Sequence, residues 1–224
     1  MDTSLDTVHC KNSKRDVWIF LLISLFIYVL VPPVIAYLIK PHFPNLPFSF
    51  FGNIGIVLSL LVPIMYFSVR YAPINISDYS PKITYLPILF FGVVVVFLFI
   101  ALAQIGGGWR NETMSEISKF GGLQAYFSFG VVVLIGPILE ETFWRKYVLQ
   151  IFRESYPIIV AVLITVTLET IFHLGHFKNG VLSLITTFLS LLLFSVIYLK
   201  GNLGVSIIVH CLFNFMILTL SGHA

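Results

Sequence analysis

The chain has 224 residues, 58% of them hydrophobic and 10% charged, with a mean hydropathy of +0.98. A soluble domain is about 45–50% apolar and about 25% charged, so this composition describes an integral membrane protein and excludes a water-soluble enzyme. The formal net charge of +3 comes from scattered basic residues, which offer no patch for nucleic acid, and two cysteines, Cys10 and Cys211, on separate elements imply neither a disulfide framework nor a cysteine zinc site.

The first sixteen residues are polar and of mixed charge. The apolar run after them is too long for a signal-peptide core and reads as a retained first span. A span needs about 20 apolar residues. On that measure the predicted spans are 17–38, 50–69, 85–105, 123–152, 156–172, 181–199 and 203–220, the fourth long and the fifth and seventh short. Turn chemistry separates them: Pro41, Pro44 and Pro47; Pro73 to Pro81; the glycines 106–108 and 121–122; Asn179-Gly180; Gly201-Asn202. Pro32, Pro33, Pro63 and Pro137 fall inside spans and are expected to kink them, as membrane helices tolerate when neighbours re-satisfy the backbone. The predicted fold class is an all-α polytopic transmembrane helix bundle of about seven spans, with the active site among the C-terminal helices.

With the N-terminus placed in the cytoplasm, nine Lys and Arg fall on the inner side (Lys11, Lys14, Arg15, Arg70, Lys82, Arg145, Lys146, Arg153 and Lys200). Four (Lys40, Arg110, Lys119 and Lys178) fall on the outer side. The excess favours a cytoplasmic N-terminus in a multi-pass protein of the cell membrane.

Charged side chains are costly near a bilayer centre, so intramembrane ones face a protein interior or a wet cavity and mark function. Here they concentrate late in the chain. Span four carries Glu140, Glu141 and Arg145; span five and its exit carry Glu169, His173 and His176; span seven carries His210 and Asn214. The first three spans hold no interior charge, so residues 1–122 read as tail, cover or anchoring and 123–224 as the catalytic core.

Helical spacing assigns these residues candidate roles. Glu141 and Arg145 are four apart and can pair along one helix. Glu140 points about 100° away from Glu141 and stays outside that pair, as a general base requires. Glu169, His173 and His176 share one helical face, and His210 and Asn214 share another. One unpaired carboxylate, two or three imidazoles and an amide suit hydrolysis: a base for water, a group to position it, and donors for an oxyanion. Each pair alone has a plainer reading, Glu141–Arg145 as a neutralised structural pair, His173 as a core histidine and Asn214 as interhelical glue. Their co-occurrence on three helices favours a site.

At these residues the chain resembles the CAAX protease and bacteriocin-processing (Abi) family of intramembrane proteases, whose three motifs are EExxxR, FxxxH and HxxxN. The matching residues are Glu140-Glu141-Thr142-Phe143-Trp144-Arg145, Phe172-His173-Leu174-Gly175-His176 and His210-Cys211-Leu212-Phe213-Asn214, in order and within apolar helices. The resemblance covers roughly 123–220. It implies that Glu140 and His176 activate water, that His210 and Asn214 stabilise the oxyanion, that Glu141 and Arg145 support the site, and that Phe172 packs near His176. Lys146 stands where many members carry glycine, and Glu169 and His173 are additions to the motif.

The reading is therefore an intramembrane endopeptidase of the glutamic type, needing no cofactor or metal, with membrane lipid around it and a membrane-associated peptide or protein as substrate. A zinc-dependent version of the same protease is one alternative, although no His-Glu-x-x-His helix is present. A non-enzymatic bacteriocin-immunity or membrane partner protein is the other. Rise along straight helices, about 1.5 Å per residue, would put Glu140, His176 and His210 at different depths. Convergence thus predicts tilted or broken helices, with Pro137 one source of bending.

Overall fold

A computed structural model describes residues 14–43, 48–71, 73–105, 123–173 and 181–220. Among them are seven long helices and no strand. In chain order these are α1 (Lys14–Ile39), α2 (Phe48–Arg70), α3 (Leu86–Ile105), α4 (123–155), α5 (Ile158–Phe172), α6 (Val181–Lys200) and α7 (Leu203–Leu220). The chain is an all-α polytopic bundle. Four apolar stretches are long enough to cross a bilayer, Leu21–His42, Phe50–Arg70, Ile76–Ala101 and Ala125–Ser155. The apolar helices Ile158–Phe172, Leu184–Lys200 and Leu203–Thr219 are shorter. The 15 residues of α5 rise only about 22 Å against a hydrocarbon core of about 30 Å.

α4 is the axis of the bundle, packed against α2, α5 and α7. Every residue from 141 to 149 is buried, which is how a helix behaves when protein surrounds it on all sides. Phe143, Trp144, Tyr147 and Phe152 of α4 form the main core with Phe67 of α2, Val166 of α5, Phe194 and Ile197 of α6, and Val205 and Val209 of α7. α1 lies at the edge of this core and reaches it through Leu21 and Tyr28. It packs chiefly on α2 and exposes Leu22, Phe26, Val29, Tyr37 and Leu38, an apolar face suited to lipid. The α1–α2 contact depends on Gly55, where a Cβ would stand 2.4 Å from the Pro32 Cα; small residues permit such backbone approach between membrane helices.

α4 is not uniformly α-helical. Val131–Ile135 and Thr142–Leu149 are wound as π-helix, with a short α-helical piece, Gly136–Glu141, between them. Pro137 has no N–H to give the preceding turn, and the irregular winding lies on both sides of it. π-turns inside α-helices occur often at functional sites.

The segment 73–82 straps one end of the bundle. Lys146 of α4 pairs with Asp78 and donates to the Pro73 carbonyl at 3.0 Å, and the Tyr79 hydroxyl lies 3.0 Å from Thr142 Oγ1. Asn202 accepts from the Val205 N–H at 2.9 Å as the N-cap of α7 and donates to the Ser80 carbonyl at 2.8 Å. A Cβ on Gly204 would stand 2.1 Å from the Tyr79 carbonyl oxygen, so α7 can pass under the strap only with glycine there. Lys146, counted above with the inner charges, is thus consumed by the fold.

Candidate active site

Glu140 and Glu141 close the α-helical piece of α4, and adjacency sends their side chains in different directions. Glu141 is fully buried. Its Oε2 lies 3.4 Å from Arg145 Nε and accepts from Ser206 Oγ at 2.6 Å; its Oε1 lies 2.9 Å from His210 Nδ1. Glu140 is partly exposed and pairs with no Lys or Arg among the described residues. Its Oε2 faces two imidazoles instead, His210 Nε2 at 3.7 Å and His173 Nε2 at 3.9 Å. The two neighbouring carboxylates therefore stand in different electrostatic surroundings, one neutralised and one open.

Arg145 serves more than Glu141. It pairs with Glu169 of α5 and donates from Nη2 to the Leu191 carbonyl of α6 at 3.1 Å, with all three side chains, Glu141, Arg145 and Glu169, shut off from solvent. One guanidinium thereby ties α4, α5 and α6 together and offsets two buried carboxylates. Glu169 Oε1 has no hydrogen-bond partner among the described residues. Helical spacing placed Glu169 on a shared face with His173 and His176. In the fold its carboxylate belongs to Arg145, while His173 follows the end of α5 and meets the Glu169 backbone, with Nδ1 2.8 Å from that carbonyl oxygen. His176 lies outside the described residues.

His210 is nearly buried, and Phe194 of α6 lies flat against its ring, with centroids 4.4 Å apart and planes at 21°. Asn214, one helical turn on, donates from Nδ2 to the Val132 carbonyl at 2.9 Å. The winding of α4 explains that contact. In an α-helix the Val132 carbonyl would accept from the Gly136 N–H, but that N–H goes to Val131. The π-helical partner would be the N–H of residue 137, which is proline and has none. A carbonyl without a donor inside an apolar span is costly, and Asn214 supplies the donor from α7. Among the described residues its second amide hydrogen meets no acceptor and can serve a ligand.

Phe172 packs edge-on against Trp144, with centroids 5.0 Å apart, and tilted against Tyr28 of α1, with centroids 4.8 Å apart. The first helix thus contributes one ring to the wall of the site. Two participants escaped the sequence reading: Ser206 and the aromatic platform of Phe194. A signal for Ser206 was present, because Asn202, Ser206, His210 and Asn214 recur every fourth position along α7. Glu140 with His173 and His210 is the set closest to a donor cluster for a metal, but no three His, Cys, Asp or Glu side chains among the described residues stand in metal-holding geometry.

The family of type II CAAX prenyl endopeptidases, Rce1-like, matches residues 122–216. That segment runs from the start of α4 nearly to the end of α7 and encloses every candidate site residue. It belongs to the CAAX protease and bacteriocin-processing family. Comparison with curated proteins gave no match, and comparison with solved structures gave none. Membership supports a CAAX protease-like peptidase with a peptide or protein substrate in a membrane setting. The family match and the several apolar helices together describe a multi-pass membrane protein. Within this CAAX protease segment, the four helices gather EExxxR and HxxxN into one cluster; α1–α3 lie outside the match.

Proposed function

We propose that this chain is a glutamic intramembrane endopeptidase that hydrolyses a peptide bond in a membrane-associated peptide or protein. Glu140 takes a proton from water, with His176 positioning that water. The hydroxide oxygen bonds to the scissile carbonyl carbon, and His210 and Asn214 donate to the oxyanion that forms. The proton then passes to the leaving nitrogen as the C–N bond breaks. Glu141, Arg145, Glu169, His173 and Phe172 support this arrangement. Residues 123–224 form the catalytic core and 1–122 its cover, with the N-terminus in the cytoplasm and the protein in the cell membrane.

The observation that carries this reading is the contrast between adjacent carboxylates: Glu141 is neutralised by Arg145, while Glu140 faces the imidazoles of His173 and His210 at 3.9 and 3.7 Å. A carboxylate left open beside imidazoles, in an interior that shields it from bulk water, is what a base for water needs. The test is hydrolysis of quenched-fluorescent peptides, prenylated and unprenylated, by the full chain in lipid vesicles. Glu140→Gln keeps the shape and removes the base, and a loss of about 100-fold or more is expected. Undiminished cleavage by that variant overturns the glutamate mechanism, and cleavage abolished by a strong chelator assigns the reaction to a metal instead.

A further inference from the structure

His210 touches a carboxylate through each ring nitrogen, and the two contacts differ. Nδ1 lies 2.9 Å from Glu141 Oε1, within hydrogen-bond range, whereas Nε2 lies 3.7 Å from Glu140 Oε2, beyond it. A carboxylate only accepts, so the nitrogen in contact with Glu141 must carry a proton. In the neutral ring the other nitrogen then has none. What keeps Glu141 in that role is Ser206, fully buried, whose Oγ lies 2.6 Å from Glu141 Oε2 and 3.0 Å from the Phe194 carbonyl. A hydroxyl has one proton and the shorter contact is to the carboxylate, so Ser206 donates to Glu141. Arg145 Nε stands 3.4 Å from the same Oε2 as a charge neighbour rather than a hydrogen-bond donor. Phe194, flat against the ring at 4.4 Å, blocks the imidazole from tilting out of the plane this contact requires.

We infer that Ser206 and Glu141 are positioning residues that hold His210 with its resting proton on Nδ1, so that Nε2 meets Glu140 and the substrate as a proton acceptor. The inference rests on the hydrolytic reading above and sharpens it. An unprotonated Nε2 cannot donate to an oxyanion, so the oxyanion role of His210 begins only once Nε2 is protonated. Glu140 supplies that proton: the water O–H bond breaks to Glu140 Oε2, and as the tetrahedral oxyanion forms the two groups close from their resting 3.7 Å into hydrogen-bond range and the proton passes to His210 Nε2. The imidazolium donates to the oxyanion and releases the proton to the leaving nitrogen, returning both groups to their starting state.

The tautomer can be read without any substrate. The full chain, labelled with nitrogen-15 in histidine and placed in lipid nanodiscs, gives histidine nitrogen shifts by NMR, with His210 assigned by difference from His210→Gln. The expected resting spectrum has a protonated Nδ1 and a bare Nε2. In Glu141→Gln the amide offers its oxygen to Ser206 and Arg145 and its NH2 to the ring, so the two signals exchange places. Ser206→Ala frees the carboxylate to rotate and gives a mixture of both tautomers, and Ser206→Thr, which keeps the hydroxyl, recovers the wild-type pattern. In the peptide assay Ser206→Ala lowers kcat by about tenfold with KM within about twofold, and Ser206→Thr regains most of the loss. A wild-type His210 protonated on Nε2, or a tautomer unmoved by both Glu141→Gln and Ser206→Ala, overturns the inference. The predicted tautomers in a protein that cleaves no membrane peptide would uphold the positioning and sink the peptidase reading instead.

Discussion

His210 Nδ1 meets Glu141 Oε1 at 2.9 Å across 69 residues of sequence, at the point where α4 passes from α-helical to π-helical winding. That contact and the Asn214–Val132 bond pin α7 to α4 on both sides of Pro137. The polar residues of α7 therefore do two things at once. They complete the irregular backbone of α4 and they face its carboxylates.

If Asn214 is the surrogate donor for a carbonyl that Pro137 leaves without one, the two residues must be energetically coupled. Asn214→Ala is expected to cost about 1 kcal/mol of stability. In a Pro137→Ala background residue 137 regains an N–H for Val132, and the same substitution should cost less than half as much. A double-mutant cycle on thermal unfolding in detergent measures the coupling, and additive effects would show that Asn214 and Pro137 act independently.

Arg145 stands between two buried carboxylates. Arg145→Met removes the cation from both and strands Glu169, and the expected loss is about 3–5 kcal/mol, as for one partner removed from a buried ion pair. Adding Glu169→Leu should restore a measurable part of it, because Glu141 keeps Ser206 and His210 as partners while Glu169 has Arg145 as its ion-pair partner. Unfolding midpoints of the single and double variants decide this. A double variant no more stable than Arg145→Met would show that the stranded Glu169 is not the source of the loss.

Two glycines of α2, three residues apart, should respond oppositely to alanine. At Gly55 a new Cβ meets the Pro32 backbone at 2.4 Å, and α1 must move; a loss of about 1–3 kcal/mol is expected. At Gly52 nothing lies within 4 Å, and alanine should be neutral or stabilising by up to about 1 kcal/mol. Equal midpoints for the two variants would show that the α1–α2 contact has little weight in the fold.

His173 and His176 compete for the role of positioning water. The Nδ1 of His173 is occupied by the carbonyl end of α5, a capping contact, whereas the FxxxH spacing selects His176. His176→Ala is therefore expected to lower kcat at least about tenfold more than His173→Ala does, within the range set for acid–base groups. Peptide cleavage by the two variants at saturating substrate checks it, and the reverse order would transfer the role to His173.

The amino-acid sequence by itself determined the class and the outline of this protein. Apolar runs separated by proline and glycine set seven helices, because a bilayer leaves the backbone no other way to bond itself. The chemistry-bearing positions were also legible, since a charge inside an apolar run is too costly to be incidental. Only the tertiary structure decided the partners. Spacing along one helix could pair Glu141 with Arg145, but not reveal that Arg145 also serves Glu169 and Leu191, nor that Ser206 and His210 share the Glu141 carboxylate. Those contacts cross helices, and no local period encodes them. The π-winding of α4 was likewise hidden, because it depends on a donor that α7 brings to Val132 from 82 residues away.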